Sequence, residues 1–137
     1  MDTKAALILF LAANPIDTAP LQLDEEVRAI DAAIQTARLR DGVRLAAHWA
    51  VRVEDVVELL LRYQPVILHF SGHGSPNDKL VLATAAGSHL EVDEHAFTDL
   101  VRLAGRTVRC AFLNACYSEV QAELLAEHIP AAIGASA

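Results

Sequence analysis

An α/β fold, a mostly parallel sheet with helices on both faces, is what the sequence predicts, and three observations predict it. Strand-like apolar runs recur at residues 5–12, 43–48, 65–70, 107–113 and 131–135. Segments of helical period separate most of them, and strands joined through helices pair in parallel with right-handed crossovers. Several runs are near-continuously apolar, the pattern of strands covered on both faces. With 137 residues, 53% of them apolar, and a mean hydropathy of +0.29, the chain can bury one sizeable core and not two, so residues 1–137 read as one domain.

Taken in order, the opening "MDTKAALILFLAAN" has the lysine, apolar run and small residues of a secretory leader. Asp2 offsets Lys4, however, and the run falls where the alternation needs a first buried strand. No apolar run approaches the roughly 20 residues of a membrane span. In the next segment Leu23, Val27, Ile30 and Ile34 recur at helical steps after a cap at Thr18 with Pro20 near the first turn. Residues 53–62 put Val53, Val56, Val57 and Leu60 on one helical face. Residues 93–104 do the same with Ala96, Phe97, Leu100 and Val101, between Asp93 as cap and Gly105 as stop. The last helix opens on "SEVQ", a capping box from Ser118 to Gln121, and carries Ala122, Leu125 and Ile129 on one stripe. Only "KLVLATAAGSHLEV" breaks the alternation, as a β-hairpin or loop excursion with Gly87 in its turn.

Charge excludes two partner classes. The chain has 18 acidic against 11 basic residues, a net charge of −7, and its lysines are Lys4 and Lys79 alone. No basic stripe exists to follow a phosphate backbone, so neither nucleic acid nor an anionic membrane is an expected partner. Cys110 and Cys116, on one extended segment, would hold their Cα atoms about 20 Å apart, against a disulfide limit near 7 Å. They read as free thiols, which suits a reducing cytoplasm.

In an open parallel sheet the functional crevice lies beyond the carboxyl ends of the strands. Two breaks in the apolar rhythm fall there: "HFSGHGSPND" at 69–78 and "NACYSEVQ" at 114–121. His73 stands three residues past Phe70 and Cys116 three past Leu113, so on neighbouring strands about 4.8 Å apart the two side chains can meet. A cysteine needs a base or a positive field to become a thiolate, and His73 with the amino end of the following helix offers both. Gly72 and Gly74 let the backbone turn sharply, and an N–H beside His73 can join that of Cys116 as an oxyanion donor.

These residues carry a family resemblance. In "ILFLAANP" at 8–15, "LDEEVRAI" at 23–30, "HFSGHG" at 69–74 and "LNACYSEVQAE" at 113–123, the chain resembles the caspase-like cysteine peptidases, most closely the bacterial CHAT domain branch. The resemblance implies a three-layer caspase-like fold of flavodoxin-like topology. It implies hydrolysis of a protein or peptide substrate by a His73–Cys116 dyad through a thioester, with the Gly74 and Cys116 amides as oxyanion hole and no cofactor. Domains of the family continue past the strand matching "AAIGASA" with helix and strand whose loops help form the pocket for the residue before the cut. The expectation is therefore a domain truncated at its C-terminal end, with an edge strand open to self-association. A catalytically inactive protein-interaction module is the alternative.

The remaining polar residues have blander readings. His69, inside an apolar run, reads as a hydrogen-bonded core residue. Asn114 positions the cysteine turn or serves turn chemistry alone. "LDEEVR" reads as a solvated helix face whose charge complements the helix amino end, with recognition secondary. "SGHGSPND" lacks the lysine of a P-loop and the spacing of a dinucleotide turn. His48, His89, His95 and His128 have no metal-ligand spacing with either cysteine, so no metal is expected. Chelation should accordingly leave the melting temperature unchanged, and a drop of several degrees with EDTA that zinc or calcium restores is the contrary result.

Overall fold

The computed structural model describes residues 5–13, 22–38, 40–49 and 51–136. Five parallel strands form the main sheet: β1 (Ala6–Ala12), β2 (Val43–His48), β3 (Ile67–Ser71), β7 (Cys110–Asn114) and β8 (Ala131–Ile133), in the order β2-β1-β3-β7-β8. Numbered among themselves the five strands run 2-1-3-4-5, the flavodoxin-like order, which reverses direction between β1 and β3. Three short strands, β4 (Gly74–Ser75), β5 (Lys79–Ala83) and β6 (His89–Val92), pair antiparallel in a separate small sheet. This is the excursion that the sequence marks, and Gly87 in its β5–β6 turn holds φ at 86°, where a side chain is strained.

Helices cover both faces unequally. On one side α1 (Leu23–Thr36) seats Leu23, Val27 and Ile30 on Phe10, Ala12, Leu45 and Ala47. The other side carries α2 (Val53–Tyr63), α3 (Glu94–Ala104) and α4 (Glu119–Ala126). There Leu9, Leu11, Leu68, Phe70 and Leu113 of the sheet meet Val56, Leu60, Phe97, Val101 and Leu125 of the helices. Each such fully buried side chain contributes about 1.5–3 kcal/mol of transfer free energy. The hairpin packs into the same cluster through Leu80, Leu82 and Val92.

The helix ends test the capping expectations. Asp93 caps α3, its carboxylate accepting from the amides of His95 and Ala96 at 2.9 and 3.2 Å, and the Gly105 amide closes the helix on the Val101 carbonyl. The expected capping box at Ser118 does not form. The Ser118 hydroxyl is buried and directed at the carbonyls of Leu113 and Ala115, at 3.0 and 2.7 Å, while the Gln121 side chain bonds the Asp78 carbonyl in the β4–β5 turn. Thr18 and Pro20 lie outside the described residues. The described part of α1 begins at Leu23 after Gln22.

Beyond the reach of the apolar stripe of α1, the same face of β7 and β8 is more open: Phe112 is 38% and Ile133 51% exposed. The two are register partners on adjacent strands, and β8 ends the strand order. An edge strand offers unpaired backbone groups to another chain. We expect self-association through this edge, visible as a light-scattering mass that rises with concentration, whereas a sharp monomer at high concentration is the contrary result.

Candidate active site

β3 and β7 pair in register, Phe70 opposite Leu113 and Ser71 opposite Asn114. Each strand then runs two residues further along the chain to His73 and Cys116, beyond the carboxyl end of the sheet. Two backbone contacts hold the exits together. The Gly72 amide donates to the Asn114 carbonyl at 3.2 Å. Gly74 lies so close to Cys116 that a β-carbon there would overlap the cysteine's carbonyl oxygen, and one on Gly72 would stand 2.8 Å from the carbonyl oxygen of Ala13. Both positions require glycine for close approach, which complements the turning role read from sequence.

The histidine loop and the cysteine turn are each fastened again. The His73 carbonyl accepts from the Val81 amide at 3.0 Å, tying the loop to β5. Gln121 bonds the Asp78 carbonyl, tying the hairpin to α4. The buried Ser118 hydroxyl accepts from the Ala135 amide at 2.9 Å, and the Glu119 amide donates to the Ala135 carbonyl at 3.0 Å, so the segment after β8 braces the cysteine turn. Tyr117 takes φ 57°, the left-handed step that turns the chain from β7 into α4. His73 is half-buried and Cys116 exposed. Cys110 and Cys116 are both free thiols, as expected, although Cys110 is half-buried rather than sealed in the sheet.

A residue that sequence reading set aside stands at the centre. Glu26, in the first turn of α1, does not join Asp24 and Glu25 on the solvated face. Its carboxylate accepts from His69 Nε2 at 2.7 Å, from the Ser71 hydroxyl at 2.5 Å and from Asn114 Nδ2 at 2.8 Å, linking α1 to β3 and β7. Burial works against its charge, but the Ser71, Asn114 and His69 hydrogen bonds outweigh it and hold the carboxyl below its ordinary range. An ionised carboxylate only accepts, so Nε2 of His69 carries the proton. His69 is thus the hydrogen-bonded interior residue expected, its ring stacked between Phe10 and Phe112 with both centroids 4.9 Å away. Asn114 does more than fill a turn, since it ties the end of β7 to the helix. The signal for Glu26 was legible: position 26 lies three beyond Leu23 and four before Ile30, inside the apolar stripe.

Between α1 and the two strand ends lies a concavity of about 280 Å³, bordered by Leu23 and Glu26, by Ser71 and Gly72, and by Asn114 and Cys116. An exposed cysteine, a neighbouring histidine loop and a shaped recess thus lie together beyond the carboxyl ends of β3 and β7. No group of side chains able to hold a metal ion occurs among the described residues, and no described helix is long and apolar enough to cross a membrane.

A three-layer α/β fold with its crevice beyond the carboxyl ends of β3 and β7 is thus the class. No family model matches the chain. Over 132 residues it is 25% identical to a probable protease of Gillisia limnaea, an alignment covering 95% of this chain and 23% of that protein. Over 133 residues it is 28% identical to a Roc-COR-CHAT protease from an unknown prokaryotic organism, covering 89% of this chain and 12% of that one. The chain therefore spans about a quarter and an eighth of these two proteins. Raptor of Chaetomium thermophilum aligns with 82% of this chain and 12% of its own at a TM-score of 0.46 and 10% identity, too distant to bear on function. The two sequence relatives relate the chain to proteases at a coarse level.

Glu26 makes stability depend on pH. Its carboxyl is lowered in the fold from an ordinary 4.5, so its contribution is complete above the ordinary value and disappears as pH falls through the lower folded value. Denaturation of the native chain and of Glu26→Gln should differ most at neutral pH and converge in acid, and a gap independent of pH is the contrary outcome.

Proposed function

We propose that the chain is a caspase-like cysteine endopeptidase domain of CHAT type, with Cys116 as nucleophile and His73 as general base and acid. The observation that carries this reading is the in-register pairing of Ser71 with Asn114 and the seating of Gly74 on the Cys116 backbone, which bring both exits to one level. The "SGHG" and "NACYS" blocks and the two protease-named relatives support it.

In the reaction His73 takes the thiol proton and Sγ attacks the scissile carbonyl carbon, forming an S–C bond while the oxygen gains negative charge. The Gly74 and Cys116 amides donate to that oxygen, with Gly72 and Asn114 holding the turn that aims them. The C–N bond then breaks, and the amine leaves with the proton from His73. Water, deprotonated by His73, cleaves the thioester to release a carboxylate and restore the thiol. The partner is a protein or peptide substrate, the chemistry needs no cofactor, and a cytoplasmic setting keeps the thiol reduced.

A second reading, a caspase-like module that acts by binding without catalysis, draws on the exposed Phe112 and Ile133 and on the relatives' much greater length. Thiol reactivity and turnover separate the two. Iodoacetamide should alkylate Cys116 faster than Cys110 in the folded chain, and His73→Ala should slow the Cys116 reaction. Turnover of a peptide library should vanish in Cys116→Ala and fall about 10²–10⁴-fold in His73→Ala. Faster labelling of Cys110, or turnover that survives Cys116→Ala, overturns the nucleophile assignment.

A further inference from the structure

The recess that borders Cys116 has a charge of its own. Glu26 lines it, and no basic side chain does so among the described residues. Of the three groups that donate to Glu26, the Ser71 hydroxyl and the Asn114 amide are uncharged, and the third is His69 Nε2. Together they hold the carboxylate in its ionised form. A carboxylate offers about four lone-pair positions, and these three bonds leave one for a ligand. The chain as a whole carries a net charge of −7. About 280 Å³ is the liquid volume of roughly nine waters, room for one long side chain.

We propose that this recess takes a cationic side chain, arginine or lysine, from the substrate residue before the cut, with Glu26 as the group that selects its charge. This rests on the peptidase reading above. It assigns Glu26 two roles at once, since the carboxylate that gathers α1, β3 and β7 also faces the recess. A half-buried anion with an open acceptor position favours a cation and disfavours both an aspartate, by like charge, and an apolar side chain that leaves the carboxylate unanswered.

The test uses the whole 137-residue chain and peptidyl acyloxymethyl ketones carrying arginine, citrulline, lysine, leucine or aspartate next to the reactive group. Each labels by forming an S–C bond from Cys116 to the methylene as the carboxylate leaves. Citrulline matches arginine in shape and lacks its charge, so the comparison needs no variant. Labelling by arginine at least tenfold faster than by citrulline, with lysine above leucine and aspartate slowest, is the expected result. Glu26→Gln should bring the arginine-to-citrulline ratio near one, with its circular dichroism recorded to show that it folds. Equal rates for arginine and citrulline, or faster labelling by leucine or aspartate, overturn the assignment. If these occur while iodoacetamide still labels Cys116 in a His73-dependent way, the peptidase reading stands and only the substrate class falls. If no reagent labels Cys116 with dependence on His73, both fall.

Discussion

Backbone runs against backbone where Gly74 meets Cys116, with no space for even a methyl group between them, and much of the crevice follows from that approach. Two chains leave a parallel sheet side by side, and only glycine allows the second to pass under the first. The remaining fastenings fix this crossing from outside. Val81 holds the His73 carbonyl, Gln121 holds the hairpin turn, and Ser118 holds the end of β7 from beneath. The small antiparallel sheet is therefore part of the site, since it sets the height and direction of the loop that carries His73.

Glu26 resolves a conflict between burial and charge. A carboxylate withdrawn from water is costly unless it is hydrogen-bonded, and here it gathers donors from both strands that feed the crevice. The Phe10–His69–Phe112 stack holds the most rigid of those donors in place, its inner ring buried and its outer ring at the surface. The ends of β3 and β7 are thereby joined twice, through backbone pairing within the sheet and through one carboxylate above it.

Most of the architecture was legible because a covered parallel sheet leaves a blunt mark: apolar runs at regular intervals with helical period between them. The strand runs, the hairpin excursion, the Asp93 cap and the Gly105 stop all emerged from local chemistry. Where reading failed, a side chain served a distant element instead of its own helix. Ser118 has the residue type and spacing of a cap, yet its hydroxyl turns back to the carbonyls of Leu113 and Ala115 and accepts from no amide of the helix's first turn. Glu26 carried its signal in the apolar stripe, but Asp24 and Glu25 beside it, which do face solvent, made the run read as one charged face. The crevice ends of β3 and β7 were predictable from offsets along two strands, whereas the bonds that tie α1 to them span three elements and leave no local trace.

The bonds at Glu26 also bear on how the chain folds. The carboxylate meets Ser71 across 45 residues and Asn114 across 88, contacts of long sequence separation whose closure entropy must be met before they return any stability. No pair of neighbouring elements contains them. A chain with β1, α1 and β2 formed has the acid but neither partner, and one that has reached β3 still lacks the cysteine. The crevice is thus a property of the completed sheet, and during synthesis the thiol emerges before α4, β8 and the Ala135 segment that brace its turn.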